Sequence, residues 1–159
     1  MYVSARADYA VRAMLAIADS DPQLVKTAAL AEAQDIPQTF LQGILVDLRN
    51  AGLLHSHRGT DGGYVLARPA TEINVGEVLR AIIGPLTTVR GLPADQAVYR
   101  GAASHLPELW RAVATAIESV VDQTTLADLL RSRSKSGGQR RPSSSSEAGA
   151  GRSSASRRK

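Results

Sequence analysis

Residues 36 to 66, Ile-Pro-Gln-Thr-Phe-Leu-Gln-Gly-Ile-Leu-Val-Asp-Leu-Arg-Asn-Ala-Gly-Leu-Leu-His-Ser-His-Arg-Gly-Thr-Asp-Gly-Gly-Tyr-Val-Leu, change their periodicity midway. Phe40, Leu41, Ile44, Leu45 and Leu48 fall at i, i+1, i+4, i+5 and i+8, the apolar stripe of one amphipathic helix. Pro37 suits the first turn of that helix, where its missing N–H would be unsatisfied anyway, and Gly52 supplies the stop. Beyond Gly52, Leu53 to His57 and Tyr64 to Ala67 read as short strands joined by Arg58-Gly-Thr-Asp-Gly-Gly. Gly62 and Gly63 are expected to supply the positive-φ positions that close the hairpin. A helix running straight into a hairpin with a basic, glycine-rich tip leaves few folds open.

The flanking sequence narrows them further. Residues 5 to 18 place Tyr9, Val11, Met14, Leu15 and Ile17 near helical spacing, with Ser4 as N-cap. Thr27 is placed to cap a short helix over residues 28–34, with Leu30 and Ala31 facing inward. A fourth helix, Val75 to Ile83, follows Asn74 and ends at Gly84-Pro85. Residues 86 to 104 have no sustained period and read as loop with at most short turns, and a long apolar pattern returns from about Pro107 to Asp122, followed by a shorter turn around Leu126 to Leu130. The expected fold is mainly α with a small β-hairpin wing: a winged helix-turn-helix over residues 1–83, a sensor-like loop over 84–104, and a dimerisation helix with its following turn over 105–131. Leu109, Trp110, Val113, Ile117 and Val120 carry the apolar stripe of the long helix, which needs a second surface to cover it. A homodimer is the natural occupant, because closed two-fold dimers are the commonest oligomer.

Charge has to be divided by region before it says anything about partners. From Ser132 onward eight basic residues stand against Glu147 alone, a net of +7; the whole chain carries +4, which leaves residues 1–131 at −3. A DNA footprint on the folded part must therefore be local. Residues 132–159, almost all Ser, Gly, Arg and Lys, have nothing to bury and are expected to be disordered, either as an electrostatic arm that raises DNA affinity or as a terminus with no particular role. The chain has no cysteine, which removes disulfides, thiolate catalysis and thiolate-bound metal. No apolar run approaches the ~20 residues of a membrane span and the N-terminus lacks a signal-peptide core, so the expected location is the cytoplasm.

In a helix-turn-helix the exposed face of the third helix can enter a major groove about 12 Å wide. Gln38, Thr39 and Gln42 lie near its N-terminal end, where base edges would be met; their plain alternative is a solvated helix surface. Arg58 and Gly59 at the hairpin tip fit a minor groove, whose negative potential attracts arginine, although Asp61 at the same tip opposes a simple phosphate clamp. Arg6, Arg12 and Lys26 are candidates for phosphate contacts, or equally for ordinary surface charges. His55 and His57, at i and i+2, make a weak metal signal and read better as wing residues. No nucleophile with a base, no carboxylate pair and no phosphate loop can be assembled by spacing, which argues against an enzyme.

Taken jointly, these motifs resemble a known family. Arg58-Gly-Thr-Asp-Gly-Gly-Tyr-Val-Leu, preceded by Leu48-Arg-Asn-Ala-Gly-Leu, followed by Asn74-Val-Gly-Glu-Val-Leu and opening with Asp8-Tyr-Ala-Val-Arg-Ala-Met-Leu, is similar to the Rrf-two family of bacterial winged helix-turn-helix transcriptional regulators, the group of IscR, NsrR and CymR. The late Leu109-Trp110 and Thr124-Thr125-Leu126-Ala127-Asp128-Leu129 also fit. The resemblance implies a homodimer on double-stranded DNA, a long helix at the dimer interface, and DNA contacts from Thr39, Gln42, Arg58 and Gly59. It also implies repression as the family's habit. Two positions depart from the pattern: Gln42 stands where a prominent relative has glutamate, and Gly43 where a polar side chain is common.

Cluster-bearing members use three cysteines in the loop before the long helix, and Pro85 to Leu109 contains none. Asp8 stands where some of them place a carboxylate ligand, but one carboxylate cannot hold a cluster, and a dipole-favoured acid at a helix N-terminus is the simpler reading. The chain thus reads as a cluster-free member with no cofactor and no metal site. The effector, a small molecule or a protein, is left open. The competing class is a winged-helix interaction module whose partner, not DNA, occupies the recognition surface.

Overall fold

The computed structural model describes residues 2–93 and 96–136. Six helices and two small hairpins follow in the order α1 Ala5–Ser20, α2 Thr27–Gln34, α3 Gln38–Asn50, β1 Leu54–His57, β2 Gly63–Leu66, α4 Val75–Ile83, β3 Thr88–Val89, β4 Leu92–Pro93, α5 Leu106–Gln123 and α6 Leu126–Ser136. A short 3-10 turn over Gly101–Ala103 precedes α5.

Helix α1 is the centre of the packing and touches α2, α3, α4, α6 and β2. Ser4 caps it, its hydroxyl accepting the Ala7 N–H at 3.2 Å. The buried face is Ala7, Ala10, Ala13, Met14 and Ile17, so small side chains let several neighbours approach one helix closely. Tyr9, Val11 and Leu15, expected on that face, are half-buried at its rim. In α2, Leu30 and Ala31 are buried as expected, but Thr27 is the first helical residue and Lys26 occupies the N-cap without a side-chain bond. Asp35, left-handed at φ 51°, ends α2, and Ile36 then donates its N–H to the Ala31 carbonyl at 3.0 Å and buries its side chain between the two helices of the motif.

Helix α3 buries Leu41, Ile44, Leu45 and Leu48. Phe40, expected in the same stripe, is 49% exposed and meets the edge of Tyr9 at a centroid distance of 6.3 Å. Its Cα lies about a quarter-turn from the centre of the stripe set by the other four residues, which turns a large ring out toward the rim. The helix stops where Gly52 adopts φ 75°.

The wing pairs β1 and β2 antiparallel, Leu54 opposite Leu66 and His57 opposite Gly63. Val25 adds a third edge through a two-way backbone bond with Tyr64, both arms at 2.9 Å. Here the expectation for the tip glycines needs correcting. Gly59, at φ 110°, is the residue with positive φ, whereas Gly62 and Gly63 are required by space. A Cβ at Gly62 would stand 2.2 Å from the His57 carbonyl oxygen, and one at Gly63 would stand 2.7 Å from that of Val25.

Helix α4 opens on a full capping box: Asn74 accepts the Glu77 N–H at 2.8 Å while Glu77 accepts the Asn74 N–H at 3.1 Å. The stretch expected as loop contains the β3–β4 hairpin, turned by Arg90 and Gly91, both at positive φ as a two-residue primed turn requires. Helix α6 also exceeds expectation, running to Ser136 and so five residues into the segment expected as disordered tail. A reciprocal bond pair between Thr125 and Asp128, at 3.0 and 3.1 Å, caps it, and the fully buried Leu126 anchors it. The Thr125 backbone N–H first, then its hydroxyl and Arg131, hold the Asp128 carboxyl below the usual range. Composition weighs only what can be buried; a capped first turn on an anchored leucine carries a polar helix beyond its apolar part. The remainder of the expected tail, 137–159, lies outside the described residues. Among the described residues no helix is long and apolar enough to cross a membrane.

Candidate nucleic-acid interface

Helix α3 packs against β1 of the wing, and residues of both line one cleft. Gln38, Thr39 and Gln42 are all exposed on α3, together with Phe40, Val46 and Arg49. The helix is held from behind by its four buried aliphatic residues, so its outer face is fixed in orientation while its polar groups stay in solvent. Arg58 and Gly59 are exposed at the hairpin tip, and the pairing of Tyr64 with Val25 fastens the wing to the chain entering α2.

Between these elements lies a cleft of about 340 Å³, lined among others by Lys26, Thr27, Arg49, His57 and Arg58. Three cations from three elements thus share one recess. Lys26 and Arg58 are candidates from the sequence; Arg49 is not. Nothing in the spacing of positions 26, 49 and 58 announces that they meet, because the meeting depends on the Val25–Tyr64 bridge. Asp61 is also exposed at the tip, so the acid expected to oppose a phosphate clamp is present.

On the other flank of α3 the structure rearranges what the sequence suggested. Arg6 is paired with Asp47, its Nη2 donating to the carboxylate. Arg12 lies 3.4 Å from the Asp8 carboxylate and 5.5 Å from the Tyr9 ring centroid. Asp8 is therefore an ion-pair partner in the first turn of α1. Its neighbour Arg12 is turned along α1. His55 and His57 are exposed on β1, and among the described residues no group of three His, Cys, Asp or Glu is placed to hold a metal ion.

The expected dimerisation stripe divides in two. Leu109, Val113 and Val120 are 52%, 37% and 66% exposed, and α5 buries no residue within its own chain. Ile117, together with Val121, instead packs toward the small core of Ala7, Leu79 and Leu86. Trp110 is engaged by the preceding loop, donating from Nε1 to the Tyr99 hydroxyl at 3.0 Å. A stripe as wide as this one has a flank that meets α4 and a crest that stays partly exposed among the described residues.

This architecture matches known proteins along most of the chain. The family model described as "Rrf2: Iron-dependent Transcriptional regulator" matches residues 3–132. A Mycobacterium tuberculosis protein provisionally named an HTH-type transcriptional regulator is 48% identical over 130 residues, covering 81% of this chain and 81% of its own. Among solved structures, T. potens IscR superposes with a TM-score of 0.71 at 30% identity, covering 88% of this chain and 93% of its own. CymR of B. subtilis, described as that organism's global cysteine regulator, superposes at 0.69 with 29% identity, covering 81% and 95%.

Proposed function

The chain belongs to the Rrf2 family of DNA-binding transcriptional regulators, which are not enzymes, and from that premise we propose that it is a cluster-free homodimeric repressor reading an inverted repeat. Each protomer lays α3 in a major groove, with Gln38, Thr39 and Gln42 at the base edges, and extends Arg58 and Gly59 into the flanking minor groove. The observation that carries this reading is that Lys26, Arg49 and Arg58 line one cleft between α3 and the wing, while Gln38, Thr39, Gln42 and Gly59 are exposed on those same two elements. Charge collected there suits the phosphates between two grooves, even though the folded part as a whole is slightly acidic. A two-fold dimer spaces its reading helices one helical turn apart, about 34–36 Å along the duplex. Repression then requires only that the bound dimer occupy the promoter.

The dimer reading is supported by the crest of α5, where Leu109, Val113 and Val120 remain 52%, 37% and 66% exposed among the described residues. The cluster-free reading rests on donor chemistry. An iron-sulfur cluster needs thiolates, this chain has no cysteine, and the histidine nearest α5, His105, lies 3.8 Å from Glu108 with no third donor grouped with them among the described residues. The residues present do not fit an iron-sulfur cluster, and no step of the proposed mechanism passes through one.

Footprinting on the chain's own promoter region tests the assignment of the two grooves. Gln42→Ala and Arg58→Ala should each weaken protection by about tenfold, as expected for a lost base or groove contact. Two variants that protect DNA like the parent would remove α3 and the wing as the reading surface. Anaerobic reconstitution with iron and sulfide should leave the protein without visible absorption; a stable chromophore would overturn the cluster-free reading.

A further inference from the structure

Gly43 stands in the middle of α3, where glycine is a poor helix former, and its φ is ordinary. Arg6 lies against this turn of the helix: its Nη1 and Nη2 atoms are 3.9 and 4.0 Å from the point that a Gly43 Cβ would occupy, ordinary van der Waals contact, so the guanidinium rests on the surface of α3 that the glycine leaves low. Asp47, one turn further along the same face, accepts from Nη2 and holds the group there. An arginine of α1 is thereby laid on α3 between Gly43 and Asp47, partly open to solvent.

Two roles are available to such an arginine, and Asp47 decides between them. A phosphate contact needs positive charge, which a neighbouring carboxylate cancels and whose own charge repels the phosphate. A base contact needs a planar donor fork in a fixed orientation, which the carboxylate supplies while leaving N–H groups of the guanidinium to donate elsewhere. We infer that Arg6, seated over Gly43 and oriented by Asp47, reads a guanine in the major groove of each half-site through O6 and N7. The inference rests on the DNA reading above and adds to it a specificity-determining residue from outside α3, with Asp47 as its positioning residue.

Selection of bound sequences from randomised duplex DNA by the full chain, compared with Arg6→Lys and Asp47→Asn, tests it. Lysine keeps the charge and loses the fork, so Arg6→Lys should lower the preference for one guanine per half-site by about tenfold while the other positions stay as in the parent. Asp47→Asn should blur the same position, and circular dichroism melting checks that both variants remain folded. Uniform weakening at every position, with a salt slope reduced by about one, makes Arg6 a phosphate contact and overturns the inference alone. An unchanged motif does the same by making the pair structural. A parent protein that enriches no motif removes the DNA reading itself, and this inference with it.

Discussion

Arg80 and Asp122 form a two-pronged ion pair, Nη1 to Oδ1 at 2.7 Å and Nη2 to Oδ2 at 2.8 Å, which ties α4 to the far end of α5. Gly76 makes room for it. A Cβ there would stand 1.8 Å from Asp122 Oδ1, so the pair exists because that turn of α4 lacks a side chain. The bonds from Arg80 hold the Asp122 carboxyl below the ordinary aspartate range, and the same bonds raise Arg80. The pair adds to the apolar contact of Leu79 and Leu86 with Ile117 and Val121 that packs α5 on α4.

Gly76→Ala and Asp122→Asn should therefore damage the same contact. Each is expected to lower stability by about 0.5 kcal/mol, since the pair is partly exposed and screened. A double-mutant cycle on urea midpoints should show the two losses failing to add. Full additivity would separate Gly76 from the pair. The pH dependence has a definite sign. A carboxyl depressed on folding contributes stability above its unfolded value, about 4, and loses that contribution as pH falls below it toward the folded value. The parent should lose more stability than Asp122→Asn between pH 5 and roughly pH 3.

The wing depends on a close backbone approach, so Gly63→Ala should be costly. Its methyl would press on the Val25 carbonyl at 2.7 Å and part the Val25–Tyr64 bridge. Overpacking of this kind costs about 1–3 kcal/mol, and DNA affinity should fall with it because Arg58 would move away from Lys26. Gly59→Ala offers a contrast: its position is open, and only the left-handed backbone is strained. Thermal melts paired with gel-shift titrations separate the two outcomes.

Val120, 66% exposed on the crest of α5, is the cleanest probe of self-association. Val120→Glu should leave the protomer's circular dichroism unchanged and move the sedimenting species from dimer to monomer. Binding to a full inverted repeat should drop much further than binding to a half-site. A variant that still sediments as the parent does would place the dimer contact elsewhere.

Because α6 extends through Ser136, the arm hypothesis is best tested by removing 137–159. That segment carries Arg140, Arg141, Arg152, Arg157, Arg158 and Lys159 against Glu147. If it contacts phosphates, its loss should flatten the dependence of log affinity on log salt and leave the preferred sequence intact. An unchanged slope would retire the arm.

The sequence by itself determined those features whose cause lies within one or two turns of chain. The stripe Leu41, Ile44, Leu45 and Leu48, the Ser4 and Asn74 caps, the stop at Gly52 and the hairpin after it are all local, because periodicity and capping act between residues a few positions apart. The mainly helical winged fold and the family followed from them. The tertiary structure alone decided everything set by contacts across long loops. It turned Phe40 out against Tyr9, made Gly62 and Gly63 matters of space rather than dihedral, and brought Lys26, Arg49 and Arg58 to one recess. It also placed Arg6 over Gly43 under the hold of Asp47, 41 positions away in the chain. Such pairs leave no period in a sequence, since what joins them is the packing of α1 on α3, and that exists only once the whole core has formed.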